Sequence, residues 1–369
     1  MFMASTMKEL LLSVHGIEMK FTTNSSELAH SVWALLRHFH RDTVAAQPMR
    51  MEFDAIERRE DVPAQISSSA KLLYSGSGLA IDPDRKTTWL CDIYSDNGLL
   101  IADFHGEGLV VIDGDSQSVR GYLVRPEAMA PDIRASFVHF AMTELLKRRG
   151  LYTFHATALE HKGQGVLIPG FSGRGKTTSF LSLLRAGYRY LSDDHPFFRI
   201  SGTRVEILPY PLKINVTDHT VSFFPELRAA PPSVLHAGVP KSYFHAEDVY
   251  PGPLGQPCEP SVILFPEVVN SSHSCLEPLS KKVALEMILP HSLLVYDTEV
   301  ARREFQALVG LVEQADCYRL HFGRDVMELP WLATPLLGRR QARSENRHGA
   351  GSKVHRRAME LLSSWRYFA

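Results

Sequence analysis

One short stretch holds residues whose types and spacing suit them to phosphate. Gly170, Gly175, Lys176 and Thr177 satisfy G-x-x-x-x-G-K-[ST] within the run GFSGRGKTT. Glycines at 170, 173 and 175 allow backbone conformations closed to residues with a Cβ. Several N–H groups can then converge on a phosphate, helped by the positive end of the following helix. In this pattern Lys176 reaches the β- and γ-phosphates, and the Thr177 hydroxyl takes a place on Mg²⁺. Phe171, Ser172 and Arg174 fill the variable positions. The nucleotide-binding set read from the stretch is Gly170, Ser172, Gly173, Arg174, Gly175, Lys176, Thr177 and Thr178.

Two flanking features could add chemistry. Downstream, Tyr188-Arg189-Tyr190-Leu191 reads as a short strand ending at Ser192-Asp193-Asp194. Ligands of open α/β sheets bind beyond the carboxyl ends of strands. One carboxylate could then hold a metal while the other takes a proton from an attacking hydroxyl; an Asx-type turn would suit the pair equally well. Upstream, His155 lies in the β-like run Tyr152–Ala156. The turn His161–Gly165 would fold that run beside the strand Val166-Leu167-Ile168. Spacing alone does not set the height of His155 on that strand.

His155, Gly170 to Thr177, Gly187 and Asp193-Asp194 match in kind and order the catalytic domain of the HPr kinase/phosphorylase family, which this stretch resembles as a divergent member. The resemblance implies an α/β fold, a P-loop kinase domain with a mixed sheet and flanking helices, preceded by a smaller α+β domain. It implies ATP and Mg²⁺ as cofactors and phosphoryl transfer to a hydroxyl, a serine for preference, of a protein or peptide. It makes His155, Lys176 and Asp193 the catalytic residues and puts Thr177 and Asp194 on the metal. Asp193 is favoured as base because it comes first in the pair, with His155 orienting it. The family's second signature, of Glu-Ile-Arg-Gly type, is absent. Leu208-Pro209-Tyr210-Pro211-Leu212-Lys213-Ile214-Asn215 stands in roughly its place, so transfer is expected to run forward only.

The strand, loop and helix around these residues need a sizeable scaffold. The hydrophobic fraction of 44% over 369 residues is ample for one. Residues 1–128 read as an α+β domain with an antiparallel sheet: a strand over 8–20, a helix over 25–40, then strands near 71–74, 88–94, 98–104, 108–113 and 119–124. Asp96-Asn97-Gly98 and Asp113-Gly114-Asp115 are hairpin turns, and residues 41–70 carry no clear pattern. The catalytic domain is expected over 129–337. It opens with a helix from Pro131 to Arg149 and has further strands at 205–208, 211–216 and 261–265, with a strand and turn over 317–325. Helices are expected at 178–185, 280–289 and 304–313. The prolines between 229 and 260 suggest a long irregular loop. Residues 338–369 form a basic tail, with helical spacing near 353–365.

The formal net charge is −1, so no global field calls for nucleic acid or a membrane surface. Cys91, Cys258, Cys275 and Cys317 are scattered and read as reduced thiols. No signal-peptide pattern and no run of about 18 apolar residues occurs. A cytoplasmic protein is expected, and a homo-oligomer is compatible with the sequence. Two other functions fit the glycine loop: an ATPase or GTPase switch, and a small-molecule kinase. For the switch no separate metal-binding strand or water-positioning residue is evident, and N-K-x-D is absent.

Overall fold

The computed structural model of the chain describes residues 9–77, 90–171, 173–229, 234–236, 239–250, 252, 254–292 and 297–338. Contacts divide the chain into two units, Met1–Tyr152 with Leu294–Ala301 and Thr153–Leu293 with Arg302–Ala369. Ser172, the start of the 88–94 strand and nearly all of the basic tail lie outside the described residues, as do several prolines of the 229–260 segment.

The first unit is built on an eight-stranded sheet ordered β1-β2-β3-β8-β7-β6-β5-β4. Its strands are β1 (Glu9–Val14), β2 (Ile17–Thr23), β3 (Met49–Ile56), β4 (Lys71–Ser77), β5 (Leu90–Asp96), β6 (Leu99–Asp103), β7 (Gly108–Asp113) and β8 (Ser118–Val124). Two expectations need correction. The strand expected over 8–20 is a hairpin, turned at His15 and Gly16, both with positive φ. The sheet is mixed: β3 runs parallel to β2 and to β8. β3 was missed in the featureless 41–70 stretch, although Met49-Arg50-Met51-Glu52-Phe53-Asp54 alternates buried and exposed along it.

Helix α1 (Ser26–Leu36) starts as expected, with the Ser25 side chain accepting from Leu28 N. Helix α2 (Pro131–Arg148) carries Pro at its first position, where the missing N–H has no intrahelical role. The expected boundary at 128/129 assigned α2 to the catalytic domain. It packs instead on α1, β7 and β8 of the first unit, because Phe137, Val138, Ala141, Leu145 and Leu146 bury their apolar stripe there.

The chain enters the second unit through β9 (Tyr152–Thr153). Strands β10 (Ala156–His161), β11 (Gln164–Pro169) and β12 (Arg189–Ser192) follow, with helix α3 (Lys176–Arg185) between the last two. Next come the hairpin β13 (Phe197–Ser201) and β14 (Arg204–Leu208), β15 (Ile214–Val216) and α4 (Asp218–Phe223). The proline-rich segment is less irregular than expected. Its described residues include β16 (Val234–His236), β17 (Val239–Phe244) and α5 (Ala246–Val249), and β17 pairs with β15 and β16. Then come β18 (Glu259–Val268), β19 (Cys275–Pro278), α6 (Lys281–Ile288), α7 (Thr298–Gln314), β20 (Asp316–Phe322) and α8 (Leu329–Gly338).

The main sheet of this unit is mixed, in the order β12-β10-β11-β18-β20-β19. β11, β18 and β20 run parallel, so their carboxyl ends share one edge. Leu159, Val166, Ile168, Val262, Leu264, Leu320 and Phe322 occupy one face at period two. Phe180, Leu181, Leu183 and Leu184 of α3 and Leu329, Ala333, Leu336 and Leu337 of α8 join them in one core. This packing fixes where α3 begins, and with it the loop between β11 and α3. Among the described residues no helix is long and apolar enough to cross a membrane.

Candidate active site

The loop leaves β11 at Pro169 and enters α3 at Lys176. Gly173 and Gly175 have φ of 83° and 89°, a left-handed backbone open to glycine at little cost. A Cβ on Gly175 would also press on Phe322 Cδ1 at 3.1 Å and Val268 Cγ2 at 3.2 Å, so a side chain there would push these two aside by a few tenths of an ångström. Gly170 lies at the end of β11. Arg174 is exposed and makes no ion pair with the described residues. Thr177 lies in the first turn of α3, and Thr178 Oγ1 is 3.4 Å from Thr220 Oγ1 of α4.

Strand register supplies the height that spacing left open for His155. β10 pairs antiparallel with β11, Ala156 opposite Pro169, so His155 stands level with Gly170. Lys176 Nζ is 2.7 Å from His155 Nε2 and 3.8 Å from Asp194 Oδ1, and the latter is 3.3 Å from His155 Nε2. The ammonium can only donate, so Nε2 accepts and the imidazole carries its proton on Nδ1. Burial holds His155 well below the ordinary histidine range, consistent with a neutral ring; Asp194 opposes this and Lys176 reinforces it.

The two aspartates occupy different environments. Asp194 is partly exposed and faces Lys176, His155 and His195, so His155, expected to orient Asp193, contacts Asp194 instead. Asp193 is buried. Its Oδ2 accepts from Asn215 N at 3.2 Å, and its Oδ1 has no hydrogen-bond partner among the described residues. Burial pushes the Asp193 carboxyl up to about 6; Asp194 adds to the rise, while Lys176, the Asn215 amide and Lys241 oppose it. Tyr190 anchors the segment: its hydroxyl donates to Leu212 O at 2.6 Å and accepts from Asp193 N at 3.2 Å. Tyr210 N donates to Leu191 O at 2.9 Å, and the Ser192 hydroxyl donates to Asp194 O.

Sequence reading missed two residues of this cluster. His195 has a left-handed backbone, φ 56°, uncommon without glycine. Its ring stacks on His155 at 5.7 Å, and its Nε2 lies 3.7 Å from Asp194 Oδ1. The only sequence signal was its place directly after the aspartate pair. His291 arrives from a distant part of the chain and had none. Its carbonyl accepts from His155 N at 2.8 Å, and its ring packs against Phe171 at 4.3 Å. Lys213 places its ammonium 4.4 Å above the Tyr243 ring, and His139 lies on α2 in the first unit.

A cavity of about 280 Å³ adjoins the start of the loop. Phe171, Phe265, Pro266 and Met287 give it an apolar floor, with Arg174, Glu267, His291 and Arg319 among its polar lining. Arg319 Nη1 is 3.1 Å from Glu267 Oε2, and its Nε is 3.6 Å from Glu277 Oε2.

The geometry suits phosphoryl transfer. A loop with left-handed glycines opens a helix, a lysine lies at its head, and two unlike carboxylates stand within reach of that lysine. No protein-family model matches the chain. It is 29% identical over 104 residues to the HPr kinase/phosphorylase of Exiguobacterium sp., which covers 28% of this chain and 32% of that protein. The chain thus spans about a third of the length of the curated relative it matches. Among solved structures it is similar to the Hpr(Ser) kinase/phosphatase from Coxiella burnetii, with a TM-score of 0.26 and 16% identity, over 53% of this chain and 99% of that one. That structural likeness is too distant to bear on the fold.

Proposed function

We propose that this chain, a divergent relative of the HPr kinase/phosphorylases, is an ATP-dependent kinase that phosphorylates a hydroxyl, a serine for preference, of a protein or peptide. The observation that carries the reading is Asp193. A buried carboxylate with an unmet oxygen and a raised pKa, in the field of Lys176 and Lys241, is costly as structure and useful as a base. The catalytic domain in this reading is the second unit.

The residues fit a metal-bound nucleotide. The glycine loop offers backbone N–H groups to the phosphates, and Lys176 adds positive charge. Thr177 and Asp194 would hold Mg²⁺, which when bound neutralises charge on the β- and γ-oxygens. Lys176 stabilises the charge that develops on the transferring group. Asp193 accepts the proton of the acceptor hydroxyl as that oxygen bonds to the γ-phosphorus. The bond from the γ-phosphorus to the bridging oxygen breaks, and ADP leaves. His155, neutral and accepting from Lys176, orients the lysine toward Asp194.

The test is incubation with labelled Mg·ATP and candidate acceptors, separating transfer from hydrolysis. Equal turnover by the wild type and a folded Lys176→Ala variant would sink the reading. Transfer should run forward only, because Lys213, which stands where the relatives' second signature falls, sits on Tyr243. Pyrophosphate released when phosphate and Mg²⁺ meet the phosphorylated product would overturn that point.

One observation favours a second reading, an ATPase switch. β18 runs parallel beside β11 and carries Glu267 next to its last residue, Val268, where a switch would carry an acid for metal or water. The ion pair of Glu267 with Arg319 argues against it, and hydrolysis that survives Asp193→Asn would revive it.

A further inference from the structure

The cavity beside the glycine loop is not used by the nucleotide in the mechanism above, yet it begins one side chain from the reacting centre. In this motif the lysine marks the γ-phosphate, and Lys176 Nζ lies 2.7 Å from His155. His155 is bonded through its N–H to the carbonyl of His291, and the His291 ring packs on Phe171. His291 and Phe171 both line the cavity. From the loop the lining takes Gly170, Phe171 and Arg174, whereas Thr178 faces Thr220 of α4. A group seated in the cavity therefore lies near the γ-phosphoryl position, on the leading side of the loop.

Size and charge describe that group. About 280 Å³ suits a side chain or two, not a folded surface. Phe171, Phe265, Pro266 and Met287 favour an apolar group. Arg319 is already shared by Glu267 and Glu277, but Arg174 has no ion pair among the described residues. Glu277 lies outside the lining, where Arg174 and Arg319 meet the single carboxylate of Glu267, so the lining carries one positive charge in excess. Resting on the kinase reading, the geometry points to this cavity as the acceptor's docking pocket: it takes a peptide segment with an apolar side chain and a carboxylate flanking the phosphorylated residue. One extended residue spans about 3.3–3.6 Å, so both features fall within about two positions of the hydroxyl.

The experiment presents the full chain with labelled Mg·ATP and a serine-centred positional-scanning peptide library, beside a direct measurement of Mg·ATP binding. An apolar residue in its pocket is worth about 10-fold or more in discrimination, so labelling should favour peptides with an apolar and an acidic neighbour by about that factor. Met287→Ala, which enlarges the cavity, should shift the apolar preference toward Phe and Trp. Met287→Trp, which fills it, should shift the preference toward Ala and Gly. Both variants should bind Mg·ATP as the wild type does. No flanking preference, the same preference in both variants, or no labelled peptide while Mg·ATP still binds would overturn this inference and leave the nucleotide site standing. Weaker Mg·ATP binding by Met287→Trp would also overturn it and give the cavity to the nucleoside. Failure of the wild type to bind Mg·ATP would strike the kinase reading itself, and this inference with it.

Discussion

Each unit of this chain buries a charged side chain, and the two are treated in opposite ways. In the first unit Arg134 of α2 donates from Nε to Ser31 Oγ at 3.0 Å and from Nη1 to the carbonyls of Pro126 and Met129 at 2.8 and 2.7 Å. The chain supplies its own acceptors, and the guanidinium ties α1, α2 and the segment before α2 together. In the second unit Asp193 receives one backbone N–H and keeps an oxygen without a partner among the described residues. Buried charges satisfied from within stabilise a fold. One left short raises the free energy of the ligand-free state and favours whatever completes it. The contrast sets Asp193 apart from Arg134; Glu160, whose Oε2 also lacks a hydrogen-bond partner, is paired with Arg189 at 3.7 Å.

The strongest way to break the comparison is Asp193→Asn. Transfer should fall by about 10²–10⁴-fold, the range of a lost general base, while Mg·ATP affinity stays largely intact. If affinity collapses with rate, Asp193 is a metal ligand and Asp194 the better base. Lys176→Ala should cost about 10²-fold or more in turnover through lost charge stabilisation, read from single-turnover labelling. His155→Ala should cost about 10–10²-fold, since orientation is a smaller part of general-base catalysis. A loss above that of Asp193→Asn would reverse the two roles.

Stability sharpens the same contrast. Arg134→Met leaves three acceptors unmet and should destabilise the protein by about 2–4 kcal/mol in urea unfolding. Asp193→Asn should do the reverse. Its carboxyl rises from 3.8 to about 6 on folding, so the ionised form weakens the fold. The wild type keeps its full stability below pH 3.8 and loses some of it as pH rises through about 6. In nucleotide-free, Mg-free protein the two should match near pH 3.5, and above pH 6 the Asn variant should gain on the order of 2–3 kcal/mol. Equal stability of wild type and variant at pH 8 would show that Asp193 is satisfied after all.

Local chemistry made much of this chain legible. The glycine loop was readable because its backbone demands are met by glycine alone and its lysine must follow at once. The Asn97-Gly98 turn and the helices near 25–40 and 131–149 were readable because each depends on neighbours within a turn or two. Legibility failed where pairing is remote. β3 is a central strand whose partners β2 and β8 run parallel to it, so no hairpin turn announced it. β15 and β17 are joined across a proline-rich segment whose turn chemistry suggested a loop. The assignment of α2 failed for a related reason: an apolar stripe declares that a helix is buried, not which sheet covers it.

The amino-acid sequence by itself determined the loop, its cations and the carboxylate pair, since these rest on residue type and short spacing. Only the tertiary structure decided how they meet. The register of β10 against β11 brought His155 level with Gly170 and within 2.7 Å of Lys176. Asn215 reached Asp193 because Tyr190 ties the end of β12 to the chain at Leu212. That burial made two adjacent aspartates unequal, one pushed up to about 6 and the other facing Lys176 and two histidines. His195 and His291 joined the cluster the same way, by a left-handed turn and by a distant carbonyl. Short-range preferences are written residue by residue, but dielectric and proximity belong to the packed chain.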